Sequence, residues 1–415
     1  MLVGKGAPEE VLSEQEIREL LAAGLDQEPL AEKRVLVIVP DDTRSGPTGL
    51  FVRLFRELLR GKATKVDFLI ALGTHPPMPA DAVRKHLDLG SISGDVNVFQ
   101  HRWDDPSALH SFGTISESEI ASLSGGLLQE PVPVRLNRLL LDYDWIVLYG
   151  PVFPHEVVGF SGGNKYILPG VAGKELIDIT HWLGALLTSY AIIGRKDTPV
   201  RAVINRAAAM VPRPRLGVCV VVNKEEVLGL YVGTPEEAFS AAADLSAQVH
   251  IRWMDRPFRK VLSILPRMYH DLWTGAKGMY KVEPVVADGG EVIIYGPHIT
   301  EFSYTHGSLI EEIGYHVRDY FVKQWGRFRH YPRTVLAHST HLRGLGEYDP
   351  VTGEEHPRIQ VTLATGISEE RCRKAGLGYL DPGAIRFEDW MGREDEGILV
   401  VPDAGEVLYR LRKKD

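Results

Sequence analysis

The sequence predicts an α/β protein of two domains, each with a mostly parallel sheet flanked by helices. Short runs rich in β-branched residues alternate with amphipathic stretches along almost the whole chain, which is typical of α/β layers. At 415 residues the chain is also too long for one typical compact core. We expect an N-terminal domain over residues 1–255, a C-terminal domain over residues 256–415, and an active-site cleft between them.

The predicted elements follow one another in the order that this fold class requires. In the N-terminal half, strands are predicted at 34–40, 65–73, 145–151 and 217–223, and helices at 49–61, 79–87, 173–183 and 234–252. In the C-terminal half, a helical run starts at residue 271, and strands are predicted at 260–266, 291–297, 334–340, 358–365 and 397–403. Ligands bind beyond the carboxyl ends of parallel strands, so the polar residues that follow the first three strands are expected to converge on one site.

Composition and charge exclude several classes of partner. Charged residues are 25% and hydrophobic residues 44% of the chain, and the net charge is −8. This mildly acidic balance, without a long run of Lys and Arg, gives no reason to expect nucleic acid as a partner. No apolar stretch approaches the roughly 18 residues of a membrane span, and the acidic N-terminus is unlike a signal peptide. Cys219 and Cys372 suit a reducing compartment, so we expect a cytoplasmic protein that does not associate with membranes.

The most informative stretch is GFSGGNKYILPG, residues 159–170, which places Lys165 in a glycine-rich turn. Its first five residues fit G-x-S-x-G, the nucleophile elbow of serine hydrolases, with Ser161 as the reactive residue. The glycines after Ser161 and the Pro169-Gly170 pair disfavour the continuous helix that such an elbow needs. The alternative is a cradle for an anionic ligand, in which Lys165 carries out the chemistry.

Titratable residues gather where the predicted strands end. Each has an ordinary structural explanation when taken alone, such as a helix cap for an aspartate or a hydrogen-bonded core position for a histidine. Two histidines flanked by proline at two different strand ends, however, are more typical of an acid/base pair than of packing. The residues of this set are Asp41, Arg44, His75, His155, Lys165 and His181.

These residues and their spacing resemble the nickel-pincer-nucleotide lactate racemase family. The resemblance covers Asp41 to Arg44, Gly73-Thr74-His75, the segment from Pro154 to Lys165, Pro169-Gly170 and His181. It includes the ten-residue step from His155 to Lys165 and the sixteen-residue step from Lys165 to His181. In the C-terminal half the resemblance is thinner and covers Trp273, Thr274 and Lys277.

The resemblance implies a cofactor and a role for each residue. Lys165 would be joined through a thioamide to a pyridinium-3,5-bisthiocarboxylate mononucleotide that carries nickel, and His181 would be the protein ligand of that nickel. His75 and His155 would each serve as the base for one enantiomer while hydride leaves the α-carbon of a 2-hydroxy acid for the cofactor. The remaining cofactor contacts would be Asp41, Thr43, Ser161, Gly162 and Gly163. Asp41 would alternatively orient Arg44. Arg44 and Lys277 would bind the substrate carboxylate or its oxyanion, and Trp273 and Thr274 would line the substrate pocket.

One departure from the family pattern bears on the substrate. Thr274 stands where lactate-acting members carry glutamine, and Trp273 stands in place of tyrosine. The shorter side chain leaves room, so we expect a larger, polar acid such as a sugar acid, which makes the chain an aldonate 2-epimerase. Residues 296–307 and 338–348 could bind its hydroxyl groups, although two polar loops are the simpler explanation, and His338 with His341 is too weak a pair for a metal site.

Three other functions stay open at this point. They are a racemase of lactate or another short 2-hydroxy acid, a serine hydrolase that uses Ser161, and a protein that carries the nucleotide without catalysis. The last gives no reason for both His75 and His155. Nothing in the sequence resembles sulfur-transfer or nickel-insertion machinery, so the proteins that synthesise the cofactor are expected to be separate partners.

Overall fold

The computed structural model describes residues 1–91 and 96–412, and it is a mixed α/β protein with mostly parallel sheets flanked by helices. It contains two compact units. The first consists of Met1–Phe153, Phe160–Thr180 and Lys196–Val249, and the second of Pro154–Gly159, His181–Arg195 and the residues from His250 onward. The single boundary at residue 255 stays a prediction.

The first unit is built on a sheet that has seven strands in the described residues. Five adjacent strands, from Arg215–Asn223 to the edge strand Val98–Gln100, run parallel to one another. Glu226–Gly233 pairs with Arg215–Asn223 in antiparallel fashion, and Val3–Gly6 pairs with Glu226–Gly233 in the same way. The strand RVLVIVP shows why this sheet is internal, because six of its seven residues are buried and its valines suit a pleat covered on both faces. The spatial order is Val3–Gly6, Glu226–Gly233, Arg215–Asn223, Trp145–Pro151, Arg34–Pro40, Lys65–Ala71 and Val98–Gln100.

Helices of the first unit pack against this sheet. The first of them begins at a capping box, in which Ser13 accepts the amide N–H of Glu16 while the Glu16 carboxylate accepts that of Ser13. A separate antiparallel pair joins Leu109–Ile115 to Val132–Asn137. The helices are Glu14–Leu25, Thr48–Leu59, Ala80–His86, Glu117–Leu123, Leu139–Asp142, Pro199–Ala208, Pro235–His250 and Lys174–Leu187, whose last seven residues belong to the second unit.

The second unit has a parallel sheet of five described strands. Their order is Gly378–Tyr379, Gln360–Thr365, Val286–Gly296, Phe258–Ile264 and Ile398–Val401. Two small additions are the parallel pair of Ile251–Met254 with Leu408–Leu411 and the antiparallel pair of Gly346–Tyr348 with Glu355–Pro357. The helices are short: Ser189–Ile192, Leu272–Gly275, Lys277–Tyr280, Gly307–Ile313, Arg318–Lys323, Trp325–Phe328, Arg333–Arg343 and Glu369–Lys374.

The predicted strand at 334–340 is wrong, because these residues lie in the helix Arg333–Arg343. Every residue from Thr334 to Arg343 is buried, so the helix has no exposed polar stripe to reveal its period. Its β-branched residues favour a strand when they are read locally, but tertiary packing decides the outcome. Gly344, at a φ of 83°, ends the helix.

The other predicted strands are confirmed within a few residues of their ends. Among the described residues, no helix combines the length and the apolar content that a membrane crossing requires.

Candidate active site

The ends of two neighbouring strands in the first unit bring Asp41 and His75 together. Pro40 and Ala71 are register partners in the parallel pair, so the residues that follow them leave the sheet side by side. His75 Nδ1 lies 2.5 Å from Asp41 Oδ2, and the Thr43 hydroxyl donates to Asp41 Oδ1 over 2.7 Å. With Nδ1–H donated to the carboxylate, Nε2 of the neutral ring is the atom that accepts a proton.

Asp41 is ionised although it is only 5% exposed. Burial by itself would raise the pKa of the carboxyl group. His75, through its charge when the ring is protonated and through its hydrogen bond, and then Arg44 and Thr43 outweigh burial and hold the pKa well below its usual range. The sequence predicted that Asp41 would orient Arg44 or contact the cofactor, and the contact with His75 adds a role that the sequence analysis missed.

Buried polar side chains form hydrogen bonds with the turn around Lys165 and stabilise it. Arg201 donates to the carbonyl oxygens of Gly162, over 3.0 Å, and of Phe160, and its guanidinium lies 3.9 Å from the ring centroid of Phe239. Burial lowers the pKa of Arg201 to about 10, so the side chain is still charged at neutral pH. Among residues 157–169, Lys165 is the one that is not buried.

Asn164 adds a second anchor to this turn. Its side-chain amide donates to Asn205 Oδ1 over 3.1 Å and to Glu236 Oε1 over 2.6 Å. Both partners lie on helices of the first unit. The backbone of Lys165 therefore lies on a constrained support.

The serine hydrolase alternative is not supported. Ser161 is 3% exposed, its hydroxyl donates to the Pro151 carbonyl over 3.0 Å, and the same oxygen accepts the Phe153 amide N–H over 2.8 Å. Because both hydrogen bonds of this hydroxyl are to nearby backbone groups, it is not available to a substrate. The short 3₁₀ turn Gly163–Tyr166 follows, rather than the continuous helix of a nucleophile elbow.

The glycines of the turn are required by contacts within the protein. Gly162 and Gly163 have φ values of 91° and 59°, which other residues rarely adopt. A Cβ at Gly162 would lie 2.5 Å from Val152 Cγ2, and one at Gly163 would lie 2.9 Å from Phe239 Cβ. Their predicted contact with a cofactor stays a prediction, as does that of Ser161 and Thr43.

The second unit carries the other predicted histidines. His155 is 8% exposed, and its Nδ1 accepts the Val157 amide N–H over 3.2 Å and lies 3.3 Å from Glu156 Oε2. His181 lies on the helix Lys174–Leu187 and is partly exposed. The next residue of that helix, Trp182, is buried and stacks on Trp325 with ring centroids 5.2 Å apart, which fixes this turn of the helix.

Trp273, Thr274 and Lys277 lie on two short helical turns of the same unit. Asp271 caps the first turn, accepting both the amide N–H of Thr274, over 3.1 Å, and its hydroxyl, over 3.0 Å. The Thr274 hydroxyl is thus used inside the protein. Lys277 is partly exposed, and its Nζ lies 4.6 Å from the ring centroid of Tyr269.

Two further histidines, His338 and His306, lie beside Trp273, and the sequence analysis did not bring them together. The indole stacks on His338 at a centroid distance of 4.1 Å and lies 4.7 Å from His306. Burial, followed by the charges of His341, His306 and His181, lowers the pKa of His338 well below its ordinary value. Burial also lowers the pKa of His341 to about 4, against the opposing charge of Glu156. The rings of His338 and His341 are therefore neutral at pH 7.

The signal for this cluster was the spacing of His338 and His341, three residues apart, which places both on one face of a helix. The sequence analysis placed His338 in a predicted strand and His341 in the polar segment after it, so it did not recognise their common helix face. In the described part of the chain, no three or more His, Cys, Asp or Glu side chains are arranged so that they could hold a metal ion. A nickel centre with one protein ligand, as the resemblance implies, would not produce such a group.

Comparison with known proteins gives a consistent result. Residues 2–193 match the family model described as the lactate racemase N-terminal domain. A lactate racemase from Thermoanaerobacterium thermosaccharolyticum is 25% identical over 269 residues, which is 63% of this chain and 59% of that protein. A lactate racemase from Lactiplantibacillus plantarum is 24% identical over 291 residues, covering 65% of this chain and 61% of that protein. The chain therefore matches about three fifths of the length of these curated relatives.

Two solved structures resemble the whole chain. A crystal structure of a protein from Thermotoga maritima has a TM-score of 0.91 at 34% identity, covering 98% of this chain and 100% of that one. The lactate racemase apoprotein from Thermoanaerobacterium thermosaccharolyticum has a TM-score of 0.71 at 20% identity, covering 98% and 94%, and so shares the fold. Residues 2–193, which match the lactate racemase N-terminal domain, contain Asp41, His75, His155, Lys165 and His181.

Proposed function

We propose that this protein is a racemase or epimerase that inverts the α-carbon of a 2-hydroxy acid. The observation that carries the proposal is the pairing of His75 with the ionised, buried Asp41 at 2.5 Å. This pairing gives a histidine a fixed orientation and a defined proton-accepting atom, as acid/base catalysis requires. The match of residues 2–193 to the lactate racemase N-terminal domain supports the same reaction class.

The residues present fit a nickel-pincer nucleotide attached to Lys165. Lys165 is the one residue of 157–169 that is not buried, and its turn is fixed by Arg201 and Asn164. His181 would supply an imidazole nitrogen, a donor that nickel accepts in a square-planar field. When bound, the nucleotide supplies a reversible acceptor for the hydride of the α-carbon. We assign Ser161, Gly162 and Gly163 to shaping this turn, and Thr43 to holding Asp41.

The two histidines would handle the proton of the substrate hydroxyl, one for each enantiomer. His75 would take the proton at Nε2, and the Asp41 carboxylate would stabilise the imidazolium that forms. His155 would exchange the proton for the other enantiomer, with the Glu156 carboxylate, 3.3 Å from its Nδ1, stabilising the charged ring. Arg44 and Lys277 would hold the substrate carboxylate, for which the planar guanidinium of Arg44 is suited by geometry.

We propose a sugar acid as the substrate, which would make the enzyme an aldonate 2-epimerase. Thr274 is buried and its hydroxyl is used by Asp271, so this position offers no amide to a short substrate. Neutral histidines beside Trp273 provide groups that bind hydroxyls. Racemisation of lactate or another short 2-hydroxy acid is the second candidate, and it is favoured by the names of the two curated relatives. We further propose a cytoplasmic location and separate proteins that supply the cofactor.

Cofactor attachment is the first property to test. The chain is produced in cells that also make the pincer nucleotide, and intact mass and nickel content are measured. We expect a mass increase located on Lys165 and about one nickel per chain. Lys165→Ala should carry neither, whereas Lys174→Ala, which changes an exposed lysine on the adjacent helix, should carry both. An unmodified, nickel-free wild-type chain from cells that load a known family member would refute the proposal.

A further inference from the structure

Lys281 is a lysine whose side chain is buried in the second unit. It is 2% exposed and directly follows the helical turn Lys277–Tyr280. Its Nζ donates to the Pro154 carbonyl over 2.6 Å and to the Glu406 carbonyl over 2.9 Å. Lysines are almost never fully buried unless the amino group is paired, because burial removes that group from water. The two hydrogen bonds therefore indicate a specific reason for a lysine at this position.

The first of these hydrogen bonds holds the peptide that leads into His155. Pro154 has no N–H group, so its carbonyl oxygen is the backbone group through which this residue can be hydrogen-bonded. The ring of His155 is held separately, because its Nδ1 accepts the Val157 amide N–H over 3.2 Å. Lys281 therefore constrains the backbone that precedes the imidazole, and Val157 constrains the imidazole itself.

The same lysine is connected to the turn that carries Lys277. The Lys281 amide N–H donates to the Lys277 carbonyl over 3.3 Å, so the two residues are one helical turn apart. The Tyr409 amide N–H donates to the Lys281 carbonyl over 2.8 Å, which ties this turn to a C-terminal strand. Pro154 is 127 residues away from Lys281 along the chain, yet all four residues belong to the second unit.

We infer that Lys281 is a positioning residue that sets the place of His155 relative to Lys277. The inference rests on the proposed function, in which His155 exchanges the hydroxyl proton of the substrate and Lys277 holds its carboxylate. Proton transfer needs the imidazole within hydrogen-bond reach of the hydroxyl, and a displacement of about 1 Å can lower the rate about 10²-fold. One residue that is hydrogen-bonded to both segments would keep the two functional groups at a fixed separation.

A role limited to anchoring the C-terminal segment through Glu406 makes a different prediction. Both roles predict that Lys281→Met, which keeps the length of the side chain but removes its donors, lowers the free energy of unfolding. Only the positioning role predicts that this substitution also changes the surroundings of the His155 ring and the rate of proton transfer.

The matched control for a structural effect is Ser263→Ala. The buried Ser263 hydroxyl donates to the Gly278 carbonyl over 2.6 Å, so this substitution also removes a buried hydrogen bond to the turn Lys277–Tyr280. It leaves the hydrogen bond between Lys281 and Pro154 in place.

The first measurement is the imidazole signal of His155 in the unloaded chain made with ¹³C-labelled histidine, which does not depend on turnover. The signal is identified by its absence from the spectrum of His155→Gln. We expect Lys281→Met to shift or broaden it and Ser263→Ala to leave it in place. If the methionine variant does not fold, Lys281→Gln, whose polar group is one bond shorter, replaces it with the same expected result. An unchanged His155 signal in the folded variant would overturn the inference.

The second measurement is KM and kcat per bound nickel in the loaded chain, with lactate and gluconate as the probes. We expect Lys281→Met to lower kcat per nickel about 10–100-fold and to leave KM unchanged, because the base is displaced while the carboxylate site is kept. Lys323→Met removes a similar hydrogen bond, from an exposed lysine to the Tyr348 carbonyl over 2.8 Å, and should match the wild type in both constants.

The two measurements separate the failure of the inference from the failure of the proposed function. A loss of activity in Lys281→Met that is fully explained by a lower nickel content would show an anchoring role alone and would overturn the inference. If the loaded wild-type chain inverts no 2-hydroxy acid but the His155 signal still depends on Lys281, the proposed function fails while the placement of His155 by Lys281 stands.

Discussion

At the scale of single residues, the contact between Asp41 and His75 determines which nitrogen can do chemistry. Asp41 occupies Nδ1, so Nε2 is the atom that a substrate hydroxyl would meet. In the proposed mechanism, the carboxylate would both hold the tautomer and stabilise the charge that forms on proton transfer. Thr43 keeps the other carboxylate oxygen in place, so the pair is constrained from both sides.

Replacing His75 by glutamine is therefore expected to lower kcat by about 10²–10⁴-fold, because the variant keeps a polar side chain but loses the base. Nickel content should be unchanged, since His75 is not assigned to the cofactor. His155→Gln is expected to behave in the same way, and His110→Gln, at an exposed histidine of the first unit, should be as active as the wild type. Turnover by both active-site variants at the wild-type rate would exclude the two-base mechanism.

At this scale the sequence predicted a set of candidate residues, which stays a prediction, but not their pairings. Strand ends and spacing were enough to predict Asp41, His75, His155, Lys165 and His181 as a set, and the family match contains all five. The sequence analysis did not assign Asp41 to His75, because that pairing depends on the register of Pro40 with Ala71. Ser161 was ambiguous for a similar reason, since only the fold shows that its hydroxyl closes the loop onto Pro151.

At the scale of elements, the turn that presents Lys165 depends on a helix that is distant in sequence. Arg201 on the helix Pro199–Ala208 holds two carbonyl oxygens of the turn, and Asn205 on the same helix holds Asn164. Both carbonyl oxygens lie within five residues of Lys165. The conformation of the turn at Lys165 is therefore a property of two packed elements rather than of the glycine-rich sequence alone.

Replacing Arg201 by methionine tests this dependence. The variant leaves the carbonyls of Phe160 and Gly162 without their donor, so we expect the free energy of unfolding to fall by about 1–3 kcal/mol and the fraction of chains carrying the nucleotide to fall with it. Hydrogen exchange of the Gly162–Lys165 amides should speed up. The matched control is Arg206→Met on the same helix, where a partly exposed pair with Glu119 is lost at a cost below about 1 kcal/mol. Equal effects of the two substitutions on exchange and loading would contradict the assignment.

The one element that was predicted wrongly shows where local pattern fails. The segment 334–340 reads as a strand because Thr334, Val335 and Thr340 are β-branched, yet packing on all sides makes it part of a helix. The error also concealed the histidine cluster, because only a helix places His338 and His341 on one face. Strands such as 34–40 and 145–151 were predicted correctly because continuous burial and β-branched residues indicate the same structure there.

At the scale of the whole molecule, acid stability depends on histidines that are buried in the neutral form. His101 is 1% exposed, its Nε2–H donates to the Ala172 carbonyl over 2.9 Å, and its Nδ1 accepts the Asn137 amide over 3.0 Å. Both nitrogens are thus used by the neutral ring, and protonation would break the bond from Asn137. Burial lowers the pKa of His101 to about 4 from an ordinary value of 6.5.

The lowered pKa of His101 makes the free energy of unfolding depend on pH. Between pH 6.5 and about 4 the unfolded chain binds a proton at residue 101 that the folded chain does not, so stability falls as the pH is lowered through this range. A shift of this size corresponds to about 3 kcal/mol, all of it retained above pH 6.5. We expect urea unfolding curves at pH 7 and pH 4.5 to differ by less in His101→Gln than in the wild type, whereas His110→Gln should keep the wild-type difference. Because the comparison concerns the change in stability with pH, any constant destabilisation by the glutamine cancels. Identical pH dependence in wild type and His101→Gln would show that another buried group controls acid unfolding.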